Sequence, residues 1–185
     1  MARPAVAVLA AGRGTRFGGG KIEATCAGKP LGRWVLDAVE GAGLGKGTII
    51  TGPEGASFAE GWTALVNPQP ERGLGSSLAL AAKAALDDEA PALLVLLADM
   101  PLVTSGYLRE LASVSAPAAT RQGDGHAGVP VLLDRVLLER AAELGGDRGA
   151  GSLLSGAALL DPPPGMLRDV DTPEDLREVE DALLP

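Results

Sequence analysis

Aromatic residues make up only 3% of the 185 positions, so the 46% apolar content must build a core mostly from alanine, leucine and valine. A single cysteine, Cys26, excludes an intrachain disulfide and fits a reducing compartment. No motif surrounds Cys26, and it reads as a small buried residue, not a nucleophile. No apolar run approaches the ~20 residues that a membrane-spanning helix requires. Nor is the first apolar stretch a secretory signal: it is short, ends in Gly12-Arg13-Gly14 and has no small-x-small cleavage pattern beyond it. Positive charge is in deficit, with 16 Lys and Arg against 24 Asp and Glu, a formal net charge of −8. That balance argues against nucleic acid or an anionic membrane as partner. The expectation is one cytoplasmic enzyme domain over residues 1–185.

What the chain has in abundance is glycine, concentrated where it can do chemistry. A short apolar strand candidate ending at Leu9-Ala10-Ala11 runs into Gly12-Arg13-Gly14-Thr15-Arg16-Phe17-Gly18-Gly19-Gly20-Lys21. Glycines let the backbone approach a ligand, and successive N–H groups form an anion-binding nest. Arg16 adds a bidentate phosphate grip and Lys21 a point charge. A flexible basic turn is the alternative. Two familiar glycine loops are excluded. The dinucleotide fingerprint G-x-G-x-x-G/A fails at Phe17, and its helix would have to start through three glycines. The Walker A pattern fails because Ile22 follows Gly20-Lys21, and the later Gly41 to Lys46 stretch is one spacer short.

Strand patterns fall at 4–10, 48–51, 64–67, 92–98, 118–121, 128–133 and 167–170. Helix patterns fall at 30–42, 75–87, 105–113, 132–144, 149–154 and 173–184, with the boundary at Leu132 and Leu133 ambiguous. Pro30 sits near N1 of the first helix. Thr172 with Pro173 and Asp175 makes a capped start for the last. The 92–98 run is continuously apolar, as a strand covered on both faces should be. This alternation predicts an α/β fold, a Rossmann-like three-layer sandwich with a mainly parallel sheet.

Such sheets bind ligands beyond the carboxyl ends of their strands. Besides the glycine loop, those ends carry Asn67-Pro68 leading to Gly73-Leu74-Gly75-Ser76-Ser77, then Asp99-Met100-Pro101, then Asp169-Val170-Asp171-Thr172-Pro173. Gly73 and Gly75 can let backbone approach a flat ligand, and Ser76 and Ser77 can cap the helix that follows. A carboxylate ending a central strand, as Asp99 does, is costly to desolvate unless paired or bound to metal. Mg²⁺ uses one or two carboxylates together with substrate phosphate oxygens. Asp169 and Asp171 would share a face if their strand continued that far. For Asp171 a plain turn or helix-start acid is the alternative.

This ordered set resembles the nucleotidyltransferases of molybdenum-cofactor maturation, in particular the molybdopterin cytidylyltransferase branch of the nucleoside-triphosphate transferase superfamily. The resemblance spans essentially the whole chain. It implies the fold of the nucleotide-diphospho-sugar transferases and transfer of CMP or GMP from a nucleoside triphosphate to the phosphate of molybdopterin, with release of pyrophosphate. By motif position, Leu9, Ala10, Ala11, Gly12 and Gly14 hold base and triphosphate, while Arg16 and Lys21 neutralise phosphate charge. Asn67, Gly75 and Ser77 line the nucleoside pocket. Asp99 ligates Mg²⁺, with Asp171 as second ligand, and Arg16, Lys21 and Asp99 are the catalytic set. CTP is the favoured nucleotide, because the motif ends Ala10-Ala11-Gly12 as in the cytidylyl branch, where the guanylyl branch tends to have Ala-Gly-Gly. A molybdoenzyme or its chaperone is the implied protein partner.

The acceptor half departs from the family pattern. Val129 replaces a histidine in Gly128-Val129-Pro130-Val131, and Gly151 replaces an arginine after Gly146-Asp147-Arg148-Gly149. Arg148 is the candidate for the acceptor's phosphate, weighed against a structural salt bridge, and His126 reads as a loop residue. Two other readings stand beside this one: a nucleotidyltransferase making a sugar nucleotide or a cytidylylated isoprenoid precursor, and a non-catalytic nucleotide-binding protein on the same fold.

Overall fold

Successive residues of the first strand, β1 (Ala5–Ala10), enter two different cores. Val6, Val8 and Ala10 pack on one side of a sheet, and Ala7 and Leu9 on the other. Strand side chains alternate between faces, so an uninterrupted apolar strand demands cover on both. The computed structural model describes residues 3–144 and 150–184. Its further strands are β2 (Thr25–Cys26), β3 (Lys29–Pro30), β4 (Thr48–Thr51), β5 (Thr63–Val66), β6 (Ala92–Leu97), β7 (Ala118–Arg121), β8 (Ala127–Asp134) and β9 (Ala158–Leu160). The helices are α1 (Leu31–Gly41), α2 (Leu74–Asp87), α3 (Ser105–Ser113), α4 (Arg135–Ala142) and α5 (Pro173–Leu183).

Seven strands form one sheet in the order β5-β4-β1-β6-β8-β7-β9, and β2 with β3 makes a separate hairpin. β6 is the central strand, and Leu93, Leu94, Val95 and Leu96 are almost fully buried. Each such leucine contributes about 1.5–3 kcal/mol on burial. α1 and α3 cover one face, α2 and α4 the other, which gives the three layers. The pairs β1–β4, β1–β6, β4–β5 and β7–β9 are parallel, whereas β8 runs antiparallel to both its neighbours. The cause is the short connection at 122–126, which can close a hairpin but cannot carry the crossover that a parallel neighbour requires. No helix among the described residues is long and apolar enough to cross a membrane.

Several boundaries depart from the sequence expectation. Pro30 is the residue before α1 and pairs in the hairpin, so the helix begins at Leu31. The ambiguous Leu132 and Leu133 belong to β8, and Asp134 accepts a hydrogen bond from the Leu137 N–H to start α4. The 149–154 pattern becomes a 3₁₀ turn, Ala150–Leu153. The expected strand at 167–170 does not form. Arg168 N–H bonds back to the Gly165 carbonyl, and only Val170 N–H reaches a neighbouring strand end, at the Asp99 carbonyl (3.0 Å). The last strand is instead β9, on the β7 edge, whose three residues are too few to show a pattern.

Cys26 is buried with Leu31, Val170 and Val179, where α5 packs on the hairpin. Burial, then the Glu180 carboxylate, push its thiol pKa up, so it stays protonated and inert. Between β1 and β5, Gly47 is required by space: a Cβ there would lie 2.3 Å from the Val6 carbonyl oxygen. Gly47→Ala is therefore expected to lower stability by about 1–3 kcal/mol, because backbone must move to admit the methyl. Urea unfolding with the parent midpoint would contradict this.

Candidate active site

β1 delivers Ala11 and Gly12 to the carboxyl edge of the sheet beside β6, whose end delivers Asp99. Between Gly14 and Gly20 the chain turns on itself, with Phe17 N–H and Gly19 N–H both donating to the Gly14 carbonyl (3.0 Å each). Gly14 has φ +56, and a Cβ there would sit 3.2 Å from Lys21 Cγ. The stem of Lys21 lies in the space that this glycine leaves open.

Lys21 then reaches inward. Its side chain is 8% exposed, and Nζ donates to Asp99 Oδ2 (2.7 Å), the Val170 carbonyl (2.9 Å) and Asp171 Oδ1 (3.1 Å). Arg16 Nη2 lies 2.7 Å from Asp171 Oδ2. Burial works against the ammonium, but the Asp99 carboxylate, aided by Asp171, outweighs it and raises the Lys21 pKa above its ordinary value. Lys21 is a cation throughout the physiological range. Two carboxylates from distant chain segments thus converge on one buried positive charge, directly after the glycine loop.

Leu9, Ala11, Gly12, Lys21, Ser77 and Asp99 share the wall of a cavity of about 190 Å³ with Gly73, Leu74 and Pro70. It opens past Ala10, Ala11 and Gly12 into a wider cleft of about 860 Å³ between the glycine loop and the loops after β4 and β5. α2 starts at this wall with Gly73 as its N-cap and no side-chain cap. Its first N–H groups and the positive end of its dipole are available to a ligand acceptor. Ser76 and Ser77 do not cap the helix but lie in its first turn.

Asn67 stands behind this wall. It is 2% exposed, its amide donates to Ser76 Oγ (2.8 Å) and Ser77 Oγ (3.0 Å), and its Oδ1 accepts from Gln69 N–H (3.0 Å). Those bonds tie the end of β5 to α2, and they leave the Ser77 O–H to donate into the cavity. Gly75 is likewise buried in the helix and not on the wall. Asp169 is exposed, and only Asp171 of that acidic pair enters the site. Arg148 and its motif, 146–149, lie outside the described residues. Sequence reasoning overlooked two contributors: the 52–57 loop, which lines the wider cleft, and the Val170 carbonyl. The Gly52-Pro53 turn directly after a strand was a readable signal for the first. Nothing in a valine signals the second, since its backbone acts.

These residues fit a hard divalent cation. The observation that fits is Asp99 Oδ1, buried and with no hydrogen-bond partner among the described residues; Asp99 Oδ2 and both Asp171 oxygens are already paired with Lys21 and Arg16, whose charges a metal ion would have to displace or share. No group of three or more metal-ligating side chains occurs among the described residues. Two carboxylates with the remaining ligands drawn from substrate phosphate and water suit Mg²⁺ or Mn²⁺.

Over residues 6–162 the chain matches the MobA-like NTP transferase domain, and it belongs to that family of nucleotidyltransferases. It is 27% identical to the purine catabolism protein PucB of Bacillus subtilis (strain 168) over 194 residues, covering 95% of each protein. The crystal structure of Rv0371c from Mycobacterium tuberculosis H37Rv superimposes with a TM-score of 0.81 at 27% identity, covering 98% of this chain and 100% of that one. A structure of Rv0371c in complex with manganese gives 0.79 at 24% identity, covering 98% and 100%.

Two substitutions probe this geometry. Gly12 lines the cavity, and a Cβ there would meet nothing within 4 Å. Gly12→Ala is expected to keep the parent melting temperature while raising KM for the nucleoside triphosphate, because the methyl enters ligand space. A loss of stability with unchanged KM would show instead that the fold needs this glycine. Lys21→Ala should lower turnover on the order of a hundredfold or more, as when one preorganised charge stabiliser is removed. Near-parent turnover in a folded variant would refute that role.

Proposed function

We propose that this chain is a Mg²⁺-dependent molybdopterin cytidylyltransferase, moving CMP from CTP onto the phosphate of molybdopterin and releasing pyrophosphate. The observation that carries the reading is the pairing of Asp99 and Asp171 across Lys21, with Asp99 and Lys21 on the wall of a cavity that Gly12 and Gly73 also line. In this reaction an oxygen of the acceptor phosphate attacks the α-phosphorus of CTP. The bond from that phosphorus to the bridging oxygen breaks, and the electron pair leaves with pyrophosphate. No covalent enzyme intermediate is needed, so positioning and charge stabilisation carry the catalysis.

The residues divide that work. The backbone from Leu9 to Gly14 and the uncapped start of α2 hold the base and the phosphates. Lys21 and Arg16 meet the negative charge that grows on the departing pyrophosphate. Asp99 and Asp171 would hold the divalent cation, which neutralises triphosphate charge when bound. The manganese complex of Rv0371c supports a cation of that class. Arg148 is assigned to the acceptor's phosphate, and a molybdoenzyme or its chaperone to receipt of the product.

Ala11 supports CTP as the nucleotide. Its methyl lines the cavity and narrows the space beside the base, an effect of ~1–3 kcal/mol in a tight pocket. The test is to supply Mg²⁺, each nucleoside triphosphate in turn and molybdopterin, and to measure pyrophosphate. CTP should outpace GTP, and Ala11→Gly should narrow that gap. A parent protein that prefers GTP overturns the cytidylyl assignment. Release only with a sugar phosphate or a phosphorylated isoprenoid precursor moves the acceptor to that class. No release with any acceptor favours a binding protein.

A further inference from the structure

Asp171 sits in a segment with no strand of its own, yet its two carboxylate oxygens are directed at two different cations, Lys21 and Arg16. Something must orient it. On one side the segment is tied by Val170 N–H to the Asp99 carbonyl. On the other it is tied by Asp175, whose Oδ2 accepts three hydrogen bonds: from Thr172 N–H (2.7 Å), Thr172 Oγ1 (2.8 Å) and Asp171 N–H (3.0 Å). A capping box requires only the N-cap pair, here Thr172 Oγ1 accepting from Asp175 N–H and Thr172 N–H donating back. The bond from Asp171 N–H is additional, and it reaches one residue beyond the cap.

We propose that Asp175 is a positioning residue for the cation-holding pair, fixing Asp171 through its backbone while also capping α5. The inference rests on the reading of Asp99 and Asp171 as that pair. The family match ends at residue 162, so it speaks to neither Asp171 nor α5. Asp175 touches no part of the cavity wall. It acts by removing the rotational freedom of the Asp171 peptide, which would otherwise swing one carboxylate away from the other. Residues that orient metal ligands in this way commonly alter affinity about 10–100-fold when removed.

The test uses the full chain and Mn²⁺ alone, titrated with free Mn²⁺ followed by electron paramagnetic resonance, beside thermal unfolding and the Mg²⁺ dependence of pyrophosphate release. Asp175→Ala should weaken Mn²⁺ binding about tenfold or more. Asp175→Asn, which keeps a carbonyl oxygen for the two N–H groups, should stay within about twofold of the parent, as a rescue of the bond to Asp171 predicts. Thr172→Ala removes the cap hydroxyl and lowers the melting temperature, but leaves both N–H bonds to Asp175 and should leave Mn²⁺ affinity within the same range. Equal weakening in Thr172→Ala and Asp175→Ala, or parent affinity in Asp175→Ala, would reduce Asp175 to a helix cap. If Asp175→Ala does not fold, Asp175→Glu carries the test: it retains the capping box, displaces the carboxylate by a methylene and should weaken Mn²⁺ in the same direction, parent affinity overturning the proposal. Asp171→Asn separates the two readings. If it leaves Mn²⁺ affinity unchanged, the cation pair itself is wrong; if it weakens binding while Asp175→Ala does not, only the positioning role fails.

Discussion

A buried ammonium between two carboxylates sets conditions that the surrounding structure has to meet. Lys21 loses water on entering the site, and that cost is offset only if Asp99, Asp171 and a backbone carbonyl all arrive within hydrogen-bond reach. Asp99 arrives because β6 is the central strand and ends there. Asp171 arrives because the segment before α5 crosses that end and is held to it. Lys21 arrives because a glycine lets its stem pass. Remove any of these and an uncompensated charge is left in the wall of the cavity.

The glycines of this chain therefore answer to two different demands. Gly47 and Gly32 are set by packing: a Cβ would strike the Val6 carbonyl in one case and the Phe58 ring, at 2.3 Å, in the other. Phe58 closing on α1 in turn shapes the loop that lines the wider cleft. Gly12 has open space around it and no packing reason to lack a side chain; the nucleotide proposed for this cavity would supply one. Sequence treats all three alike, and only the surroundings tell them apart.

The wall of the cavity is built from strand ends and a helix start that the sheet holds in place, which is why the chemistry proposed there can be argued from distances. Asn67 illustrates the difference between lining a pocket and shaping one. Its amide is fully occupied in joining β5 to α2, and through Ser77 it sets the wall that a base would meet.

How much of this was legible before folding follows from which signals are local. The continuous apolar run of β6, the glycine loop after β1 and the Thr172-Pro173 helix start are patterns of neighbours in the chain, and each lies where it was expected, within a few residues. The same holds for the mainly parallel sheet, since helix-length crossovers dictate it. The strand expected at 167–170 failed and the three-residue β9 went unread because edge pairing depends on what lies alongside, which short segments do not encode. Residue types alone nominated Arg16, Lys21, Asp99 and Asp171, acids and bases at strand ends. That Lys21 would stand between both carboxylates, with a valine carbonyl as its third partner, was decided by tertiary structure. Those partners lie 78 to 150 positions from Lys21, and only the folded sheet brings such groups to 2.7–3.1 Å of its Nζ.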